Sequence, residues 1–313
     1  LVKYALVPID TKVVLSDAKA DQQKVANTIK DLIAQTRLST KNVVAGLPSQ
    51  KVFCTVADID KLSKSELDKT IRYQADTLIP TPVAESKIDW VYLGDSPKDP
   101  KKVEILLASA PNDFIEQRLD MLEGIGLNVL AFEPDSIALA RAIIPADATT
   151  PQLVLDMGVH SSDLVISANG GPKLMRSIPT GSESVLKAAM QNLNIDEKQA
   201  EQFVYKFGLS QSKLEGQVYN AIIGTVETLV AEIEKSIKFY QSRYTGQLLD
   251  RIIVTGGASS LPEFPLYLAN KFTINVEIGN SWRNVTYPQD RQNELLAVSS
   301  HFAVAAGLAE RVE

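Results

Sequence analysis

A pattern of predicted strands and helices starts twice along this 313-residue chain. The stretch 145–152 (PADATTPQ) is rich in residues typical of turns, and it predicts a linker between the two halves. Both halves alternate short apolar runs, typical of buried strands, with longer segments whose apolar residues recur at helical spacing. The length alone predicts about two domains, and the alternation favours an α/β fold.

The second half has the clearer pattern. Its predicted elements are strands at 153–157, 164–168 and 174–178, helices near 185–193, from Asp196 onward and over 222–240, a strand at 251–255, a helix at 262–272, a strand at 273–278 and a last helix at about 290–311. Asn169-Gly170-Gly171 is the predicted turn between the second and third strands.

The first half repeats part of this order. Strands are predicted at 2–9, 11–15 and 42–47, and a helix after Asp21 separates the last two. The second half has one more strand before its first helix. If the halves are equivalent, about one strand is expected to precede Leu1, so that the first half lacks its opening strand.

Residues 49–127 are interpreted as a separate unit inserted into the first half. Ser63 and Glu66 have the spacing of a capping box at the start of its first helix. The elements predicted for this unit, and for the return to the first half after it, are strands at 51–57, 88–93 and 103–109, a helix ending before Pro80, a helix from Asn112, a strand at 128–132 and a helix at 133–144.

Composition argues against several classes of protein. The net charge of −6 and the pI of about 5.2 argue against nucleic-acid binding, which uses a basic surface. Cys54 is the only cysteine, so an intrachain disulfide is excluded and a reducing compartment is expected. With only His160 and His301 beside it, a Cys/His zinc site is not expected. The sequence predicts no transmembrane helix and no secretory signal.

Asp156 and Gly158 follow a predicted buried strand and lead into a hairpin with two hydroxyl groups, Ser161 and Ser162. Gly158 lets a phosphate approach the backbone closely. Asp156 is suited to hold a hydrated Mg²⁺, and the serines can donate hydrogen bonds to phosphate oxygens. The motif predicts a phosphate-binding turn, although an ordinary hairpin with a turn glycine is an equal alternative on this motif alone.

Two further turns carry candidate residues. Gly256, Gly257 and Ala258 follow a predicted buried strand and leave room for a flat ligand against the backbone. A plain strand-to-helix turn has the same pattern. Glu133 ends a strand before Pro134 and is a candidate acid that orients water for phosphate hydrolysis. An acid in the first turn of a helix is at least as good an interpretation.

These turns, in this order, resemble the actin-like ATPase superfamily, which includes Hsp70, sugar kinases and the cell-division protein FtsA. Within it the chain is similar to the PilM family, the cytoplasmic actin-like proteins of type IV pilus assembly. The similarity extends over nearly the whole chain and includes 73–82 (YQADTLIPTP), 232–240 (EIEKSIKFY) and 302–308 (FAVAAGL).

The resemblance implies an α/β, actin-like ATPase fold with two pseudo-repeated lobes and an inserted subdomain of the FtsA and PilM type. The implied parts are lobe 1 at 1–48 and 128–150, the inserted unit at 49–127, the core of lobe 2 at 151–180 and 251–289, a helical subdomain of lobe 2 at 181–250, and a C-terminal helix at 290–313 that packs back on lobe 1. The family opens with a first phosphate turn, Asp-x-Gly-Ser-Ser, on the strand expected before Leu1. The ATP site is therefore expected to be incomplete over these residues.

The resemblance also implies an ATP site with Mg²⁺ between the lobes. Val204 stands where the family carries a lysine near the ribose, with Lys206 close by. This departure weakens the assignment of Glu201 as the acid that contacts the ribose. The implied residues are Asp156, Gly158, Ser161 and Ser162 at the phosphates, with Asp156 reaching Mg²⁺ through water, Gly256, Gly257 and Ala258 at the adenosine, Glu201 at the ribose, and Glu133 at the attacking water.

The function implied by the resemblance is that of a scaffold with slow or regulatory ATP hydrolysis. In the PilM family a groove beside the inserted unit takes the cytoplasmic tail of the inner-membrane protein PilN, so a PilN-like partner, other pilus assembly proteins and a cytoplasmic position at the inner membrane are expected. One alternative is an FtsA-like division protein that binds membranes directly, for which this sequence predicts no segment. Another is a small-molecule kinase, for which no second carboxylate has a clear substrate role.

Overall fold

The computed structural model describes residues 1–311, so the last two residues of the predicted C-terminal segment lie outside the described residues. Within this range, helices α1–α11 span Thr11–Leu15, Lys19–Thr36, Lys64–Leu78, Asn112–Gly124, Asp135–Ile143, Ser182–Leu193, Glu197–Phe207, Gln217–Arg243, Phe264–Phe272, Gln292–Val298 and Ala303–Ala309. Strands β1–β10 span Asn42–Leu47, Phe53–Asp60, Ser86–Asp95, Lys102–Pro111, Asn128–Pro134, Gln152–Met157, Ser162–Ala168, Gly171–Ile178, Arg251–Thr255 and Asn275–Ile278. No helix in residues 1–311 is long and apolar enough to cross a membrane.

Lobe 2 is built on a five-stranded sheet with the order β10-β9-β6-β7-β8. Strands β6, β9 and β10 are parallel, whereas β6, β7 and β8 form antiparallel pairs. Asn169 and Gly170 join β7 to β8 with φ of 52° and 73°. Positive φ at both residues is what a two-residue type I′ turn requires, so the predicted turn is confirmed. The strands and helices predicted over 153–278 all form.

The core of lobe 2 lies between this sheet and helices α6, α8 and α9. Leu153 and Leu155 of β6 are fully buried, as are Ile222, Val230 and Ile233 of α8. The apolar residues of α8 recur at helical spacing, so one face of this 27-residue helix covers the sheet. Full burial of one such side chain contributes roughly 1.5–3 kcal/mol, and this packing stabilises α8 more than its helix propensity does.

The inserted unit contains an antiparallel sheet with the order β2-β4-β3 and helix α3 on one of its faces. Ile71 of α3 and Ile105 of β4 meet between them and are fully buried. The capping box predicted at Ser63 and Glu66 is confirmed, because the Glu66 carboxylate accepts a hydrogen bond from the Ser63 backbone N–H at 3.1 Å. The other face of the sheet is turned toward lobe 1 and, at one end, toward lobe 2.

Lobe 1 is centred on the parallel pair of β1 and β5, followed by helix α5. Helix α11, near the end of the described chain, crosses α5 closely. Gly307 of α11 makes this approach possible, because a Cβ atom at Gly307 would overlap the backbone carbonyl of Ala138 in α5. The small residues of this segment therefore serve close helix packing.

The two strands predicted at 2–9 and 11–15 do not form, so this prediction is wrong. Residues 11–15 are helical because the Asp10 side chain caps α1, accepting a hydrogen bond from the backbone N–H two residues later at 2.9 Å. In the part of the chain that the structure describes, no strand pairs with residues 2–9. This segment is held by side chains instead, with the ring of Tyr4 edge-on to Phe302 at 5.1 Å.

The single helix predicted at about 290–311 is also wrong, because the segment divides into α10, a single 3₁₀ turn and α11. The break lies at Ser299, which exchanges two hydrogen bonds with Ser281. The Ser281 N–H donates to Ser299 Oγ at 2.8 Å, and Ser281 Oγ donates to the Ser299 carbonyl at 2.6 Å. The Ser299 carbonyl thus accepts from the Ser281 hydroxyl and from the Phe302 N–H at 3.0 Å in a 3₁₀ turn, and Phe302 leaves helical geometry with φ −112° and ψ 6°.

We expect Gly307→Ala to lower the free energy of unfolding by about 3 kcal/mol, because the new methyl group collides with rigid backbone. Gly224→Ala is the matched control, since no atom lies within 4 Å of a Cβ at Gly224 in α8. It should raise stability by about 0.8 kcal/mol through helix propensity. Urea unfolding of both variants measures the difference, and equal stabilities would contradict the close packing of α11 on α5.

Candidate functional site

The predicted phosphate turn lies where lobe 1 and lobe 2 meet. Asp156 is the next-to-last residue of β6, and its carboxylate lies against Gly256, which directly follows the neighbouring parallel strand β9. Across the gap, Gln50 of the loop after β1 donates its side-chain amide to Ser161 Oγ at 2.9 Å. Because the carboxyl ends of parallel strands share one edge of a sheet, the two predicted turns lie side by side where the lobes meet, and we call this place the cleft.

The turn after Asp156 is held by backbone hydrogen bonds on two sides. The Gly158 N–H donates to the Ser161 carbonyl at 2.9 Å, which closes the hairpin. The Ser182 N–H at the start of α6 donates to the Gly158 carbonyl at 3.0 Å. Gly181 allows this approach, since a Cβ there would overlap the Val159 carbonyl. Gly158 itself is exposed, so its backbone is open to a ligand.

The two predicted phosphate-binding serines lie differently. Ser161 is half-buried and its hydroxyl faces Gln50. Ser162 is fully buried, and its hydroxyl donates to the Thr180 carbonyl at 2.7 Å. In this structure the Ser162 hydroxyl is thus occupied in joining β7 to the segment after β8, and a phosphate contact from this side chain stays a prediction. The phosphate contact of Ser161 also stays a prediction.

Three carboxyl groups meet in the cleft. Asp156 of β6 and Asp163 of β7 are directly opposite each other in the antiparallel pair. Asp135 begins α5 in lobe 1, and its carboxylate packs on Gly46 at the end of β1. Like charges at directly opposite positions of a sheet repel each other, so this cleft is unfavourable for three ionised carboxylates.

The pKa values of these groups reflect this environment. Burial, followed by the nearby Asp163 carboxylate, raises the pKa of Asp156 to about 7. Burial, with Asp163 and Asp156 as further causes, raises the pKa of Asp135 to about 7. Burial also raises the pKa of Asp163, and the hydroxyls of Ser177 and Ser49 offset part of this increase. A bound cation would relieve the repulsion.

Glu133 does not lie in this cleft. It is 6% exposed and makes a bidentate salt bridge with Arg141, at 2.8 and 2.5 Å. Arg141 also donates to the Gly307 carbonyl at 2.7 Å. In this structure Glu133 is therefore engaged with Arg141 and is not placed beside Asp156, and its role at the attacking water stays a prediction. Asp135, two residues later, is the acid of this segment that faces Asp156.

The predicted adenosine turn lies beside the phosphate turn. Gly256 has φ of 84°, and a Cβ there would overlap the Asp156 carboxylate, so glycine is required. Gly257 lies near His301, whose Cε1 would be 3.6 Å from a Cβ at Gly257. The backbone of Ala258 continues a single 3₁₀ turn, and the side chain of Ala258 lies outside the described residues.

The predicted ribose residue, Glu201, is exposed on α7. One helical turn further along, Tyr205 lines a small cavity together with Met157 and Leu261. The volume of this cavity is about 10 Å³, close to the space that one water needs. Glu201 itself does not line this cavity, and its contact with a ribose stays a prediction.

A much larger cavity lies between the inserted sheet and lobe 1, with a volume of about 1140 Å³. We call it the groove. Its polar end holds the Glu133–Arg141 pair and Asn284. Its apolar walls come from the outer face of the inserted sheet and from lobe 1, and the β7–β8 hairpin of lobe 2 closes one side; the residues are Val91, Leu106, Ala108, Ile115, Phe132, Ile137, Ala140, Ile144, Ser167, Gly170 and Pro172.

Sequence reasoning missed Asp135, Asp163 and Arg141. The signal for Asp163 was the hairpin itself, because closing the turn after Met157 places Asp163 opposite Asp156. Asp135 was part of the motif in which Glu133 was chosen. No sequence rule separates the two acids, since the change from strand to helix between them decides which one faces the cleft.

Comparison with known proteins agrees with this architecture. A family model described as "Type IV pilus assembly protein PilM" matches residues 1–313. The chain is similar to the solved "PilM-PilN type IV pilus biogenesis complex", with a TM-score of 0.81 and 24% identity over 97% of this chain and 89% of that chain. It is also similar to MreB5 of Spiroplasma citri bound to ADP, with a TM-score of 0.56 and 12% identity over 92% and 74% of the two chains. The predicted actin-like fold and family resemblance are confirmed.

The acidic cleft predicts how stability depends on pH. A carboxyl whose pKa is higher in the folded state keeps a proton that the unfolded chain loses, so stability falls as pH rises from about 4 to about 7 and is level above that range. Asp135 and Asp156 each contribute up to about 1.4 kcal/mol per pH unit to this fall in the free energy of unfolding.

We expect Asp156→Asn to raise the free energy of unfolding at pH 8 and to leave it nearly unchanged at pH 4. Asp120→Asn on the exposed face of α4 is the control and should change neither value. Urea unfolding at both pH values measures the effect. A variant that loses stability at pH 8 would show that ionised Asp156 is well accommodated in the fold.

Proposed function

Because the chain belongs to the PilM family of type IV pilus assembly proteins, we propose that it is an ATP-binding scaffold whose groove binds the cytoplasmic tail of a PilN-like inner-membrane protein. The observation that carries this proposal is the apolar groove beside the inserted unit, in a chain matched by the family over residues 1–313. Through that partner the protein would act at the cytoplasmic face of the inner membrane, together with other pilus assembly proteins.

The groove has the chemistry of a site for a short, extended and mostly apolar peptide. Val91 and Ala108 on the inserted sheet face Phe132 and Ile137 of lobe 1 across it. Burying the apolar side chains of a peptide against these walls is favourable. The Arg141–Glu133 pair at one end offers hydrogen bonds that fix the direction and register of the peptide. The solved PilM–PilN complex, similar over 97% of this chain, supports this choice of partner.

The inter-lobe cleft fits a magnesium nucleotide. The exposed backbone at Gly158 and the close approach at Gly256 suit phosphate and adenosine groups. In the part of the chain that is described, no group of three or more His, Cys, Asp or Glu side chains is arranged to hold a metal directly. Asp156 would therefore reach Mg²⁺ through water, with Asp163 as a second acceptor. The bound ion would neutralise phosphate charge and favour ionised Asp156.

Hydrolysis, where it occurs, would depend on Asp135 rather than Glu133. Asp135 faces Asp156, and its pKa of about 7 lets the carboxylate accept a proton from water near neutral pH. Burial among other acids means that it is only partly ionised there. This favours slow turnover, which suits a scaffold better than a metabolic kinase.

Groove binding is tested with a synthetic peptide that carries the cytoplasmic tail of the PilN protein from the same organism. We expect the protein to bind it and Val91→Glu to weaken binding at least about tenfold, or about 1.4 kcal/mol, since the peptide would bury a carboxylate. Leu266→Glu on α9 is the matched control, because Leu266 is 58% exposed and Val91 is 51% exposed. Calorimetric titration gives the Kd. Equal losses in both variants, or no binding to the folded parent, would contradict the groove assignment.

Nucleotide binding is tested with Asp156→Asn. We expect its Kd for Mg-ATP to rise at least about tenfold while its Kd for ATP in EDTA changes little, because the carboxylate acts on the ion rather than on the nucleotide. Asp120→Asn serves as the control. An equal loss with and without Mg²⁺ would show that Asp156 supports the turn and does not hold the metal.

A further inference from the structure

A buried ionic cluster joins the inserted unit to lobe 2. Its centre is Glu104 of β4, which is 1% exposed. Glu104 Oε2 accepts from Lys173 Nζ at 2.9 Å. Glu104 Oε1 accepts from Arg243 at 2.9 and 3.2 Å and from the Tyr244 hydroxyl at 2.7 Å. All of these donors belong to lobe 2, from β8 and the end of α8.

A second carboxylate completes the cluster. Asp58 of β2 lies opposite Glu104 in the sheet register and accepts from Arg243 Nη2 at 2.8 Å. The side chains of the four charged members, Asp58, Glu104, Lys173 and Arg243, are between 1% and 19% exposed. Two acids of the inserted unit thus meet two cations of lobe 2, and the Glu104 cluster is electrically balanced.

The geometry of this cluster resists sliding of the inserted sheet against lobe 2. Removing one member of a buried ion pair leaves an uncompensated charge, which is far more costly than breaking a surface pair. The planar guanidinium of Arg243 bridges Glu104 and Asp58, and charge-assisted bonds of this kind are short and directional. The inserted sheet and lobe 2 therefore move together as one body at this contact.

The same sheet face forms the wall of the groove. Leu106 and Ala108, two and four residues along β4 from Glu104, point to the same side and line the groove. On lobe 2, Lys173 follows Pro172, which closes the groove. At the other end of β8, Ser177 lies opposite Asp163 of the inter-lobe cleft. One strand therefore connects the cleft to the Glu104 cluster.

We propose that the Glu104 cluster couples the inter-lobe cleft to the groove. A nucleotide that changes the angle between the lobes would carry the inserted sheet with lobe 2, and so change the distance from Leu106 and Ala108 to Ile137 of lobe 1. The affinity of the groove for its peptide then depends on the occupant of the cleft. Linkage requires that the peptide change nucleotide affinity by the same factor. This inference rests on the proposed function.

The test is calorimetric titration of the PilN tail peptide into the protein with and without saturating Mg-ADP, followed by the reciprocal titration. Mg-ADP keeps hydrolysis out of the measurement. We expect the two Kd values for the peptide to differ at least about fivefold, and the reciprocal titration to give the same ratio. A ratio within twofold while both ligands bind would overturn the coupling and leave the groove assignment intact. Failure of the peptide to bind at all would instead overturn the proposed function.

The variants separate coupling from simple damage. Glu104→Gln and Asp58→Asn should each bring the ratio toward one while both ligands still bind. Asp58→Asn leaves the bonds of Glu104 in place, so it provides the result if Glu104→Gln fails to fold. Glu234→Gln is the control, since it removes only an exposed salt bridge with Lys238 within α8 and should keep the parent ratio. An unchanged ratio in folded Asp58→Asn and Glu104→Gln would overturn the role of the cluster.

Discussion

The packing of helix α5 between the lobe 2 sheet and α11 is the interaction on which the cleft and the groove both depend. Ala138, Leu139, Ala142 and Ile143 are fully buried, and the helix packs against the face of the lobe 2 sheet on one side and against α11 on another. Its first residue, Asp135, faces the cleft, whereas Arg141, less than two turns later, lies at the groove. Because packed interiors transmit displacement instead of absorbing it, a shift of this nine-residue helix would move both sites.

The molecule uses buried charge in two opposite ways. In the cleft, Asp135, Asp156 and Asp163 face one another with hydroxyls and no cation among the described residues, and their pKa values are raised. Around Glu104 the acids are matched by Lys173 and Arg243. Unbalanced buried charge is typical of a place where a ligand completes the electrostatics, whereas balanced charge fixes the position of one part against another.

Prediction from sequence succeeded where local pattern and local chemistry agree. The strands and helices over 153–278 form as predicted because apolar periodicity, the cap at Asp196 and the Asn169-Gly170 turn all favour the same structure. It failed at 11–15, where a local cap outweighs the apolar pattern, and at 2–9 and 290–311, where distant partners decide. The Asp10 cap turns an apolar run into a helix, and hydrogen bonds from Ser281 interrupt the last helix.

The sequence by itself determined the turns. Asp156 with Gly158, and Gly256 after β9, are specified by local backbone requirements such as a positive φ or a missing Cβ, and these are visible in residue type. Tertiary structure alone decided which side chains face the cleft, since Asp135 and not Glu133 does so and Ser162 is buried. It also decided that Glu104 contacts Arg243. Glu104 and Arg243 are 139 positions apart in the sequence. Their contact follows from the packing of the inserted unit on lobe 2, which no local pattern encodes.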